Sequence, residues 1–113
     1  MSMRTLQVVA VAVLLSGCIS GVPVNIDNQS ASDLTNVVVS GNGFSESAGT
    51  IRAGDKAVVR VRPKGESGVK LAFEVNGQRY SALEQTYIEN DNTYIVDVTV
   101  DAEFSVVFKS RLR

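Results

Sequence analysis

Among the side chains able to do chemistry, the one most defined by its surroundings is Cys18, the single cysteine of the chain. It follows Leu15-Ser16-Gly17 at the end of an apolar run, Leu6 to Leu15, that is interrupted only by Gln7 and preceded by Arg4. Small residues ahead of a thiol let the chain lie extended in a peptidase cleft, and the thiol is nucleophilic enough to take a lipid through a thioether. A basic start, an apolar middle and small residues at a cut make the layout of a secretory signal. The run is not a membrane span, because about 20 apolar residues are needed to cross a bilayer and about half that number are present.

Other reaction chemistry is bounded by what is missing. The chain has no histidine and no tryptophan, which removes the commonest general base near neutral pH and the commonest metal ligand. Carboxylates remain. Glu84, Glu89 and Asp91 lie near Tyr80 and Tyr87, and a glycosidase-like acid pair needs two carboxyl groups about 5 to 10 Å apart across a sugar cleft. A small domain without an aromatic cluster leaves little room for one, so the chain is expected not to be an enzyme. Asn90-Asp91-Asn92, with Glu89, offers oxygen ligands, but calcium takes six to eight of them in a longer ordered spacing, and the same residues are ordinary turn formers. No metal site and no cofactor is expected.

Binding surfaces are easier to place. Lys56, Arg60 and Arg62 point out of one segment, Lys64 follows, and Lys109, Arg111 and Arg113 share one side of the last. If those segments are neighbours, Arg60, Arg62, Lys109 and Arg111 form the centre of a cationic stripe able to meet lipid phosphates, an anionic glycan or an acidic protein. The simpler reading is a solvated strand face whose lysines and arginines discourage edge-to-edge pairing, with Glu74, Asp97 or Asp101 neutralising it. Two glycine-rich stretches, Gly41-Asn42-Gly43-Phe44 and Gly65-Glu66-Ser67-Gly68, are candidate recognition loops, Phe44 serving either as an exposed anchor or as a plug for the core.

The elements that position these residues read as short strands. Val22, Val24 and Ile26 alternate with Pro23, Asn25 and Asp27, and Pro23 suits an edge or a first position. Leu34 to Ser40, with Val37-Val38-Val39 at its centre, is a second strand, and Phe44 to Ile51 a weak, glycine-interrupted one or a pair. Ala57, Val59 and Val61 face one way in the next. Leu71, Phe73 and Val75 follow, and Asn76-Gly77 is a strong hairpin signal. The return strand is expected over Gln78 to Ala82, then a looser connection at Leu83-Glu84-Gln85-Thr86. Tyr94, Val96, Val98 and Val100 alternate, and Phe104, Val106 and Phe108 face inward from a last strand that pairs with them. Seven or eight short strands and no sustained helical period predict an all-β fold, an antiparallel immunoglobulin-like sandwich, although the Cys…Trp…Cys signature of antibody domains is absent.

Leu15-Ser16-Gly17-Cys18 resembles the lipobox of bacterial lipoproteins at all four positions. The resemblance implies a signal peptide over 1–17, a diacylglyceryl group on Cys18 with acylation such as palmitate on the new amine, a tether over 18–21 and one domain over 22–113. Ile19, rather than aspartate, follows the cysteine, which by the same resemblance implies the outer membrane, facing the periplasm. Cleavage removes Arg4 alone among the charged residues, leaving 10 basic and 12 acidic side chains and a formal charge of −2. That balance gives no pull toward nucleic acid or an anionic membrane. The mature part is similar to small β-sandwich lipoproteins of bacterial envelopes. Its expected role is a lipid-anchored, non-enzymatic interaction or structural module with an envelope protein or glycan partner. The alternatives are an inhibitor of an envelope-directed hydrolase and, last, a carboxylate-dependent glycan hydrolase.

Overall fold

The computed structural model describes residues 21–89 and 93–112. Eight strands follow in order: β1 (Val22–Asn28), β2 (Leu34–Gly41), β3 (Phe44–Ile51), β4 (Lys56–Val61), β5 (Ser67–Val75), β6 (Gln78–Ile88), β7 (Tyr94–Val100) and β8 (Val106–Leu112). They form two four-stranded sheets, ordered β4-β1-β7-β8 and β3-β2-β5-β6. The expected all-β sandwich is what the chain forms. All neighbours run antiparallel except β1 and β7, which pair in parallel from Val24↔Val96 to Asn28↔Val100.

Period-2 alternation builds the core, since successive strand residues point to opposite faces. Val22, Val24 and Ile26 of β1 and Val96, Val98 and Val100 of β7 are buried, with Val59 and Val61 of β4 beside them. The second sheet supplies Val37 and Val39 of β2 and Val69, Leu71, Phe73 and Val75 of β5. Phe73 is the largest fully buried side chain. Its ring stacks on Tyr80 at 5.3 Å, and Tyr80 in turn meets Phe104 at 5.2 Å. Since Tyr80 belongs to β6 and Phe104 to the β7–β8 turn, the three rings join the two sheets.

Several local expectations are corrected. Pro23 lies in an interior strand, second in β1. The pairing to β7 begins only at Val24, so at the proline β1 has a neighbour on one side, where a missing N–H is tolerated. β3 takes the first of its two expected forms, one continuous strand over Phe44–Ile51. β6 does not stop at Ala82: Leu83-Glu84-Gln85-Thr86 continues it to Ile88, because β5 offers a partner along nearly the whole length, with a register shift between Ser67 and Val69. In β2 both Leu34 and Val37 are buried, three residues apart. A bulge at Asn36, whose φ is +48°, absorbs the extra residue and restores the inward phase. Phe104 precedes β8 rather than belonging to it. It sits in a turn at φ +62° whose Asp101 carboxylate accepts from the N–H groups of Glu103 and Ser105.

The two ends of the sandwich differ in construction. At one, Asn28 is fully buried and its side-chain amide donates to the carbonyls of Ser32, Ile51 and Arg52 at 2.9 to 3.1 Å. Its carbonyl oxygen accepts from the Ser30 N–H and Oγ at 3.0 and 2.7 Å. One side chain thus ties the β1–β2 turn to the β3–β4 turn. The hairpin at Asn76-Gly77, with φ values of +49° and +83°, lies at this end too, as the Asn-Gly signal requires for a type I′ turn. The opposite end carries Val22, the β2–β3 hairpin, the β4–β5 loop and the end of β8.

Candidate interaction surface

The outward face of the β4-β1-β7-β8 sheet carries several polar side chains in neighbouring register positions. Alternation turns Asn25 and Asp27 of β1 and Asp97 and Thr99 of β7 away from the core. The register then sets them in rows: Lys56 beside Asp27 beside Thr99, and Val58 beside Asn25 beside Asp97 beside Lys109. Between β4 and β7 a depression of about 360 Å³ is lined by Asn25, Asp27, Lys56, Val58, Asp97 and Thr99, with backbone beneath. Val58 is 61% exposed, and with Ile26, Ala57 and Val98 it makes much of the lining apolar between the polar side chains.

Asp97 is the electrostatic centre of the face. Arg111 Nε donates to one carboxylate oxygen at 2.6 Å and Asn25 Nδ2 to the other at 2.9 Å. The Arg111 hydrogen bond, then that from Asn25, holds the Asp97 carboxyl below its usual range, against a small opposing effect of burial. The same bond raises the already high pKa of Arg111. A carboxylate with both oxygens engaged and its acidity increased is suited to holding a fixed negative charge, not to taking a proton at neutral pH.

The cations singled out in the sequence are split by this arrangement. Arg60 belongs to β4 and Lys109 and Arg111 to β8, which are the two opposite edges of one sheet. Two strands stand between them, so three inter-strand spacings of about 4.8 Å, roughly 14 Å, separate the rows. Asp27 and Asp97 occupy the space between. There is no continuous stripe through Arg60, Arg62, Lys109 and Arg111, because the condition for it, adjacency of the strands, is not met. Of the carboxylates named as neutralisers, Asp97 pairs with Arg111, Glu74 lies 3.9 Å from Arg79, and Asp101 serves its own turn. Arg62 and Lys64 follow β4 in the loop toward β5.

The two glycine-rich stretches do come together. The Asn42 N–H donates to Ser67 Oγ at 2.8 Å, its side-chain amide donates to the Lys64 carbonyl at 2.7 Å, and the Lys64 N–H donates to the Asn42 carbonyl at 3.0 Å. Phe44 packs against the core, and its ring covers Gly41 so closely that a Cβ there would stand 2.4 Å away. Phe44 is therefore the plug, and the loops are fastened to each other. Glu84 lies on β6 and Glu89 just beyond its end, while Cys18, Asn90, Asp91, Asn92 and Arg113 fall outside the described residues. Among the described residues, no group of three or more histidine, cysteine, aspartate or glutamate side chains could hold a metal ion.

Asn25 carried no signal of its own in the sequence beyond its outward phase in β1. Its partner Asp97 is 72 residues away and is reached through the parallel β1–β7 pairing, which strand-by-strand reading does not supply. No protein-family model matches the chain, and no curated protein matches it. A solved structure, the NMR structure of a protein from Eubacterium rectale, superposes with a TM-score of 0.57 over 82% of this chain and 89% of that one, at 16% identity. That likeness is one of fold, and the chain shares with it a small all-β architecture.

Proposed function

We propose that the chain is a lipid-anchored, non-enzymatic interaction module of a bacterial envelope, held through Cys18 to the periplasmic side of the outer membrane and presenting a polar sheet face to an envelope protein or glycan. The observation that carries this reading is the distance between anchor and fold. The first strand opens at Val22, four residues after the cysteine of Leu15-Ser16-Gly17-Cys18. A lipobox-like cysteine so close to the first strand suits attachment of the domain directly at a membrane surface, and two or three acyl chains make attachment durable where one would be reversible. The Asn25, Asp27, Lys56 and Thr99 side chains around Asp97 supply donors, acceptors and both signs of charge on a rigid sheet, which suits recognition of a polar partner.

The test is a crosslinking pull-down from intact cells with the native chain beside Cys18→Ser, with mass spectrometry of the captured partners and of the mature N-terminus. The expected result is a diacylglyceryl-modified Cys18 at the N-terminus and a specific partner lost in the Cys18→Ser form. An unmodified cysteine in a membrane-associated, correctly sized protein would sink the anchor. A lipidated protein that captures no envelope partner would sink the interaction role.

A further inference from the structure

The formal charge of −2 conceals an uneven distribution. Around the Val22 end, four described cations, Arg60, Arg62, Lys64 and Lys70, balance four carboxylates, Glu46, Glu66, Glu84 and Glu89, while Arg111 is paired with Asp97. At the Asn28 end three cations, Arg52, Lys56 and Arg79, stand against six carboxylates, among them Asp33, Asp55 and Asp101. From Arg60 to Lys64 no acidic residue intervenes. Two of these cations have their stems set by glycines. Lys64 Cγ passes 2.5 Å from where a Cβ on Gly43 would stand, and Arg62 Cγ passes 3.3 Å from the same point on Gly21. Glycine at 43, with φ +80°, leaves room for the lysine stem to lie against the hairpin.

Reach decides which end feels a surface. Two residues, Ile19 and Ser20, separate Cys18 from Gly21, three residue steps that span at most about 10 Å when fully extended. The Debye length at physiological salt is about 8 Å, comparable with that span, so the headgroup potential is only partly screened at the Val22 end. β5 has nine residues, which at about 3.3 Å each set the acidic end roughly 30 Å farther out, where the surface potential is screened.

We infer that the basic rim formed by Arg60, Arg62 and Lys64 docks on the phosphate headgroups of an anionic phospholipid bilayer, standing the sandwich upright with its Asn28 end away from the membrane. This rests on the anchor at Cys18 proposed above. The lipid supplies attachment, and the rim supplies orientation. The polar face around Asp97 is then set roughly perpendicular to the membrane, open to a partner approaching along the surface.

The lysines make the orientation measurable, because Lys64 lies at the rim and Lys56 at the opposite end of the same sheet. The mature, lipid-modified chain is reconstituted into vesicles of phosphatidylcholine alone or of phosphatidylcholine with phosphatidylglycerol, floated, and treated with limiting amine-reactive reagent before peptide mass spectrometry. The expected result is flotation with both vesicles, and labelling of Lys64 slowed by about fivefold relative to Lys56 only where phosphatidylglycerol is present. That protection should disappear in 1 M salt, where the Debye length is about 3 Å, and weaken in Arg60→Glu, whose exposed side chain leaves the fold intact. A chain that floats with both vesicles but shows equal Lys64 labelling in each overturns the docking alone. A chain that floats with neither overturns the anchor and the orientation together.

Discussion

Replacing Asn28 by alanine tests the claim that one buried amide fastens an end of the sandwich. The side chain is fully buried and all of its polar capacity is engaged. Truncation strands at least two groups whose bonds to it are themselves buried, the Ser30 N–H and the Ile51 carbonyl. At about 1–3 kcal/mol for each unsatisfied buried group, the loss is about 4 kcal/mol. A domain of this size has a total stability of about 5–14 kcal/mol, so the substitution removes a large share of it. With about 4–8 °C of Tm per kcal/mol, melting should fall by about 15–30 °C. Urea unfolding followed by circular dichroism is the assay, and with a slope near 1.5 kcal/mol per M the midpoint should drop by about 2.5 M. Asn28→Asp separates hydrogen bonding from volume, since it keeps the acceptor for Ser30 but turns an ionised oxygen toward three carbonyls. It should be at least as destabilised at neutral pH and should recover in part as the carboxyl protonates. A loss below about 1 kcal/mol in Asn28→Ala refutes the fastening role, because it would mean that water or neighbouring groups replace the amide freely.

Two further outcomes follow from the core and from the sheet face. Phe73→Ala removes the largest fully buried side chain and its stack on Tyr80, and should destabilise by about 3–5 kcal/mol; an unchanged melting temperature would show that the ring is not where the β5 phase puts it. The Asp97 carboxyl, held low by Arg111 and Asn25, has a folded pKa below its unfolded value. Its contribution is therefore present above the unfolded carboxylate pKa and lost as pH falls through the folded one. Arg111→Ala should move the Asp97 carboxyl resonance to titrate at higher pH, and an unmoved titration would sever the pair.

The strands were legible because their signal is local. Alternation in Val22-Val24-Ile26, Leu71-Phe73-Val75 and Val96-Val98-Val100 carries its own phase, and Asn76-Gly77 names its turn type without help from the rest of the chain. What sequence reading missed depended on partners distant in the chain. The length of β6 past Ala82 is set by β5, the place of Pro23 by where the β7 ladder starts, and the Asn25–Asp97 bond by a parallel pairing. Asn28 read only as the first residue of a polar turn. Nothing in Asn28-Gln29-Ser30 announces that its amide reaches Ile51 and Arg52, because those carbonyls arrive from another hairpin. Leu34 and Val37 hid the bulge: an apolar spacing of three breaks the period of two, and only the +48° φ of Asn36 shows how the strand absorbs it.

The cations illustrate how topology reassigns a pattern. In the sequence, Lys56 and Arg60 and, far along, Lys109 and Arg111 look like two halves of one binding stripe. In the fold β4 and β8 are the edges of their sheet, the strands whose outer backbone groups are left open to pairing with another chain. Charged side chains at alternate positions keep such edges apart from one another, a sufficient reason for cations on both strands without any ligand. Arg62 and Lys64 are different in kind. They lie beyond the end of β4, in a loop fastened to the β2–β3 hairpin, and they guard no edge. The rim inferred above would give these two positions a role that edge protection does not. The comparison of Arg60→Glu with Lys56→Glu then becomes informative, since both residues lie outward on β4 and differ chiefly in which end of the sandwich they occupy. Equal effects on vesicle-dependent labelling of Lys64 would return the whole set to edge protection, whereas an effect confined to Arg60→Glu separates the rim from the edge.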